Sequence, residues 1–281
     1  MSKTKKPIVA YEDRLCLFLD ILGFKTIIAD SVSEKPDSTG SIRRLDVAGI
    51  HAALHAIDRA IKPAGTTFGG LESSSKQVTQ FSDSIVVSYK LEERSAVFDL
   101  LYDMYFLQIE LIRRGILVRG AITAGKMFHD KQIVFGPAFV EAAEFEKLAL
   151  YPRVILHQEI IDYGKRRNGS HHSSEDEERS IRSMLKQDLD GMFYIDYFSP
   201  NPGDFEEGWD GLYEYLMSLR ELVRRLSQLT KTPSIKLKHS WMRQKFNEVA
   251  RGLEQNKYRK LAADYVPDDL EDHIHNISPF R

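Results

Sequence analysis

Residues 14–19, Arg-Leu-Cys-Leu-Phe-Leu, form a short apolar run that ends at Asp20, with Gly23 close behind. That length suits a buried strand delivering a carboxylate at its C-terminal end. Between 46 and 61 the apolar positions Val47, Ile50, Leu54, Ile57 and Ile61 recur at helical spacing, which predicts an amphipathic helix. A Gly/Ser-rich turn over 65–76 separates it from two strand-like pieces, 77–81 and 85–89, joined at Ser82-Asp83-Ser84. They read as a hairpin with an acidic tip. A long helix over 95–114 is closed by Gly115, and 116–123 reads as a strand leading to Gly125. The order is therefore βααββαβ, which describes an α+β fold: a ferredoxin-like or palm-type antiparallel-mixed sheet with helices on one face.

Further on, 133–136 leads into a helix from Pro137 to about Leu148, and 151–156 supplies another strand. The core continues to about Phe198, interrupted over 164–178 by a stretch of such low hydrophobicity that it reads as a mobile insertion. From 212 the pattern turns helical. The expected division is a flexible N-terminus over 1–13, a core domain over 14–198 and a helical extension over 199–281.

Composition narrows the class. The 281 residues carry 39 Lys+Arg against 41 Asp+Glu, which argues against a surface that is basic all over. The balance is local cancellation: 212–261 holds twelve Lys/Arg against four Asp/Glu, while 199–211 and 264–272 are acidic. The single Cys16 cannot form an internal disulfide and reads as core packing, and no cysteine cluster could hold zinc. His171 and His172 lack further partners at ligand spacing. No signal-peptide pattern and no run of ~20 uncharged apolar residues is present, so a cytoplasmic protein without membrane insertion is expected.

The chemistry concentrates in three segments: Phe18-Leu19-Asp20-Ile21-Leu22-Gly23-Phe24, Phe81-Ser82-Asp83-Ser84, and the strand running from Val118-Arg119-Gly120 to Gly125. In order and spacing they resemble the class III nucleotidyl cyclases, with Asp-Ile-x-Gly-Phe on the first strand, Gly-Asp at a hairpin, and Arg-x-Gly-Ile-x-x-Gly on a later strand. Residues 135–143 look like the family's following helix entry. The resemblance spans about residues 14–160. It implies that Asp20 and Asp83 bridge two divalent ions, Mn2+ or Mg2+, with the Ile21 main-chain carbonyl as a further ligand. It also implies that Arg119 contacts phosphates, a task that suits a guanidinium fork. Amides from Leu22 through Gly23 to Phe24, at a helix start, could donate to phosphate oxygens. In such two-metal chemistry one ion activates the attacking oxygen and the other holds the triphosphate.

The departures redirect the substrate. The place of a base-recognising lysine holds Thr79, its acidic partner is Ile133, and the transition-state asparagine and arginine are replaced by Val140 and Glu144. Purine recognition of the usual kind is missing. The combination looks like the bacterial pyrimidine cyclases of the Pycsar antiphage system, which implies conversion of UTP, or alternatively CTP, to its cyclic monophosphate. It further implies a homodimer with active sites at the interface, and an effector reached through the cyclic nucleotide. Lys126 and Arg153 are weaker candidates for substitute phosphate or transition-state contacts. Each carboxylate also has a structural reading, Asp20 as a helix cap and Asp83 as a turn residue. Two other functions stand beside the cyclase: a catalytically silent nucleotide-binding sensor, and a nucleic-acid-binding protein acting through the basic tail.

Overall fold

A computed structural model describes residues 10–32, 47–61, 75–228, 232–254 and 275–280. Its elements are β1 (Glu12–Ile21), α1 (Phe24–Ser31), α2 (Val47–Ile61), β2 (Gln77–Phe81), β3 (Ser84–Lys90), α3 (Ala96–Arg113), β4 (Val118–His129) and β5 (Val134–Phe135). They continue with α4 (Pro137–Leu148), β6 (Val154–Leu156), α5 (Gln158–Arg166), α6 (Ser174–Ser183), β7 (Leu185–Gln187), β8 (Phe193–Ile195), α7 (Trp209–Gln228) and α8 (Pro233–Glu254). The first part has the expected βααββαβ order. The Gly/Ser-rich turn lies outside the described residues except at its end, as do most of the N-terminus and the acidic stretch 264–272.

The fold is α+β, and the sheet runs β2-β3-β1-β4-β6-β8-β7, with β5 paired to β4. Every neighbouring pair is antiparallel except β4 with β6. The apolar run at 14–19 explains β1's central place, because both of its faces are covered. Leu15, Leu17, Leu19 and Ile21 point into the main core with α2 and α3, and Cys16 packs on the opposite face.

Several boundaries differ from the sequence reading. β1 begins at Glu12, inside the stretch expected to be flexible, because Glu12 and Asp13 pair with Met127 and Lys126. β4 passes through Gly125 to His129 because it stays paired with β1 as far as Met127 and then pairs with β5 through Phe128 and His129. Helices occupy both faces, since α4 lies over Cys16, Val86 and Met127 through Ala138 and Ala142. Small residues permit this approach, and Gly136 completes it: a Cβ there would meet the Met127 Cα at 2.6 Å. Residues 164–178, expected to be mobile insertion, hold the end of α5, a turn and the start of α6. Ser173 caps α6 by accepting from the Asp176 amide, and the acidic run Glu175-Asp176-Glu177 fills its first turn, where the helix dipole favours negative charge.

The helices after Phe198 share the core of the sheet. Leu212, Tyr215, Leu219, Trp241 and Phe246 join the same buried cluster as Val154 and Ile195. Tyr215 donates to the Tyr197 carbonyl, and the Trp241 indole donates to Asp188 Oδ2 at 2.7 Å. Among the described residues no helix is long and apolar enough to cross a membrane.

Candidate functional site

Strand register assembles the site. Asp20 lies directly opposite Ser84 on β3 and Arg119 on β4, so the three side chains form one row across the face that also carries Phe18 and Cys16. Asp83 arrives from the β2–β3 turn, where Ser82 takes a left-handed φ of 57° at the place of the resembled family's glycine. The Ile21 amide donates to the Asp83 carbonyl at 3.0 Å, tying the hairpin tip to the end of β1 and holding the two aspartates together.

A third carboxylate joins them. Glu146 on α4 is 4% exposed and accepts from Arg119 Nε in a part-buried ion pair. The sequence reading missed it, although a signal exists: Ala138, Ala142, Phe145, Glu146 and Ala149 form one buried helix stripe, and a charge on such a stripe has a partner or a task. Burial first, then the neighbouring charges of Glu146 and Asp83, push the Asp20 carboxyl up to about 6, against the pull of Arg119 and the Ser84 hydroxyl. Lys238 on α8 also reaches this field, its ammonium held below its ordinary value by burial and by the Arg119 charge. It too was missed, because nothing local marks one lysine of a basic tail.

The expected contacts fare unequally. Asp20, Asp83 and Arg119 come together, but Arg119 is engaged by Glu146 rather than free for phosphate. The Leu22 amide donates to the Leu117 carbonyl at 2.8 Å, so it is spent inside the fold and leaves Gly23 and Phe24 as the candidate amides of that turn. Arg153 is no substrate contact: it is fully buried, pairs with Asp188 and Asp190, and lies over the Tyr151 and Trp241 rings. Lys126 is exposed, bonds Asp13 at 2.6 Å, and sits seven register positions along the ladder from Arg119, about 23 Å at the usual strand rise. Thr79 lies on the same face as Asp20, on edge strand β2, and bonds His129 Nε2 at 2.9 Å.

Asp20 and Asp83 fit a divalent cation chemically: they are hard oxygen donors whose mutual repulsion such an ion would relieve. Among the described residues no group of three His, Cys, Asp or Glu side chains is arranged to hold a metal ion. A cation held by two carboxylates would therefore complete its shell with main-chain, water and phosphate oxygens, the mode Mg2+ commonly adopts.

No protein-family model matches the chain, and no curated protein matches it. Solved structures similar to it include a bacterial light-regulated adenylyl cyclase, 12% identical with a TM-score of 0.39, covering 75% of this chain and 98% of that one. The adenylyl cyclase CyaB from P. aeruginosa is 12% identical with a TM-score of 0.39, covering 66% of this chain and 94% of that one. A class III adenylyl cyclase-like ATP-binding protein from Pseudomonas aeruginosa is 15% identical with a TM-score of 0.38, covering 61% and 40% respectively.

Proposed function

We propose that this protein is a metal-dependent pyrimidine nucleotide cyclase. It converts UTP, or alternatively CTP, to the 3′,5′-cyclic monophosphate and diphosphate, as a signal in bacterial antiphage defence. The observation that carries this reading is the convergence of Asp20, Asp83, Glu146 and Arg119 at one end of the sheet face on which α4 packs. In the reaction the substrate's 3′-oxygen bonds to the α-phosphorus, the bond to the diphosphate oxygen breaks, and the 3′-hydroxyl proton is released. Divalent ions supply Lewis acidity that activates the attacking oxygen and neutralises the leaving diphosphate.

The chain's own contribution is placement and charge. Asp20 and Asp83 would hold the cation, and the Ile21 carbonyl would be a further ligand. Substrate entry brings phosphate oxygens that compete with Glu146 for the Arg119 fork, and a charge-assisted bidentate contact favours the exchange. Lys238 adds a second positive charge within the electrostatic reach of Arg119, which gives the C-terminal helices a part in the site. The active unit is a homodimer in which one subunit supplies the carboxylates and the other closes over the base. Exposed apolar residues support that assembly: Tyr11, Ile133 and Phe135 surround β5, with Tyr11 and Phe135 in edge contact at 5.7 Å, and Val140 projects from α4.

The test is incubation of the purified chain with each of the four nucleoside triphosphates and Mn2+, followed by product identification. Cyclic UMP or cyclic CMP is expected, and its loss in Asp20→Ala and Asp83→Ala with the fold intact assigns the carboxylates. Full activity of either variant would overturn the metal assignment. The exposed Val140 and Glu144 favour a second reading, a silent nucleotide sensor, which predicts binding without product.

A further inference from the structure

A chain of buried hydrogen bonds ends at Thr79. β4 continues past its last pairing with β1 and brings His129, 7% exposed, between Ser88 and Thr79. His129 Nδ1 lies 2.8 Å from the Ser88 hydroxyl, and Nε2 lies 2.9 Å from the Thr79 hydroxyl. Ser88 is fully buried, and its oxygen also accepts from Arg14 Nε at 2.9 Å. Arg14 is itself buried, bonded to Glu12 and to the Ser75 and Ser88 carbonyls.

The direction of this chain follows from donor counting. A guanidinium nitrogen only donates, so the Ser88 oxygen accepts from Arg14. The Ser88 proton then has one remaining partner among the described residues, His129 Nδ1. The ring is neutral near pH 7, since burial and the Arg14 charge hold it down to about 4. With Nδ1 accepting, the ring proton sits on Nε2 and is donated to the Thr79 oxygen. The opposite direction would leave the buried Ser88 proton unsatisfied, at a cost of about 1–3 kcal/mol. Thr79 thus accepts from inside the protein and keeps its own hydroxyl proton, and it sits half-buried on edge strand β2.

We infer that His129, through Thr79, is a specificity-determining positioning residue: it fixes a hydrogen-bond donor that selects a base presenting a carbonyl oxygen, uracil over cytosine. Uracil O4 accepts from that proton. The cytosine amino group would meet a donor with a donor and leave the Thr79 proton unpaired. This rests on the cyclase reading, which puts the base against Thr79, and supplies the residue-level reason for UTP that the sequence does not.

The test compares UTP with CTP on the full-length chain with Mn2+, measuring both kcat/KM and equilibrium binding of the labelled nucleotides. The wild type should favour UTP by about tenfold, the scale of one hydrogen bond. Thr79→Val and His129→Phe should bring that ratio close to one, and Thr79→Ser, which retains the hydroxyl, should restore it. Thr79→Val replaces a half-buried residue by one of the same shape, so it reads the contact even where His129→Phe lowers stability. Equal or better use of CTP by the wild type, or an unchanged ratio in Thr79→Val, overturns the inference while leaving a cyclase. Preferential binding of UTP without any product supports it and overturns the cyclase reading. Neither binding nor turnover overturns both.

Discussion

At the level of single residues, the site is a set of charges that oppose one another. Asp20 has a folded value of about 6 against an ordinary 3.8, so its ionised form is disfavoured in the fold. Stability is then lost as pH rises from about 4 to 6, and remains lost above that. Asp20→Asn should therefore abolish product formation and yet raise Tm in chelator at pH 8 by about 2–6 °C. That corresponds to about 1–2 kcal/mol once the solvent exposure of the group is discounted. A drop in Tm would mean that the repulsion is absent. His129 has the opposite consequence. Its folded value of about 4 lies below the ordinary 6.5, so the neutral ring stabilises the fold above pH 6.5 and that contribution is lost as pH falls toward 4. Urea unfolding at pH 5 and pH 7 should differ by about 2 kcal/mol from this group alone. His129→Phe should show a correspondingly flatter dependence.

Secondary-structure elements were legible to different degrees. Runs such as 14–19 and the helical spacing over 46–61 announce β1 and α2 because their side-chain period is local. The α5–α6 region misleads because its polar composition hides the two residues that dock α6, Ile181 in the core and fully buried Glu177 beside His172. Arg153 misleads in the other direction. Lying just before a strand it resembles a ligand contact, but it joins β6 to the β7–β8 turn and α8 through Asp188, which also accepts from Trp241 and pairs with Lys245. Arg153→Ala should destabilise by about 2–5 kcal/mol, since it empties a fully buried side-chain site and removes the ion pairs to Asp188 and Asp190. The measurement is a denaturant midpoint, and normal stability with lost turnover would instead return Arg153 to the active site.

Across the whole molecule, the helices after Phe198 complete the main core rather than trail from it. Part of the basic character of that region is drawn into ion pairs among the described residues: Arg224 and Arg225 with Glu221, and Lys245 with Asp188. Such pairing weakens the nucleic-acid reading, which needs unneutralised charge to release counterions. The exposed apolar residues around β5 are where the proposed dimer would form. Phe135→Glu together with Val140→Glu should convert a dimer to a monomer by sedimentation, leave the circular dichroism spectrum unchanged, and remove cyclic nucleotide formation. Monomeric wild-type protein with full activity would sink the shared-site arrangement.

The sequence by itself determined the order of the first seven elements and the strand-end positions of Asp20 and Asp83. Periodicity and motif spacing are properties of neighbours in the chain. Only the tertiary structure decided what those residues meet. Glu146, Lys238 and His129 lie 126, 218 and 109 positions from Asp20 along the chain, yet they or the groups they bond share its sheet face or its electrostatic field. Hydrogen-bond direction and charge repulsion depend on separations in space, which are fixed only when β4 pairs with β1 and α4 and α8 pack into place.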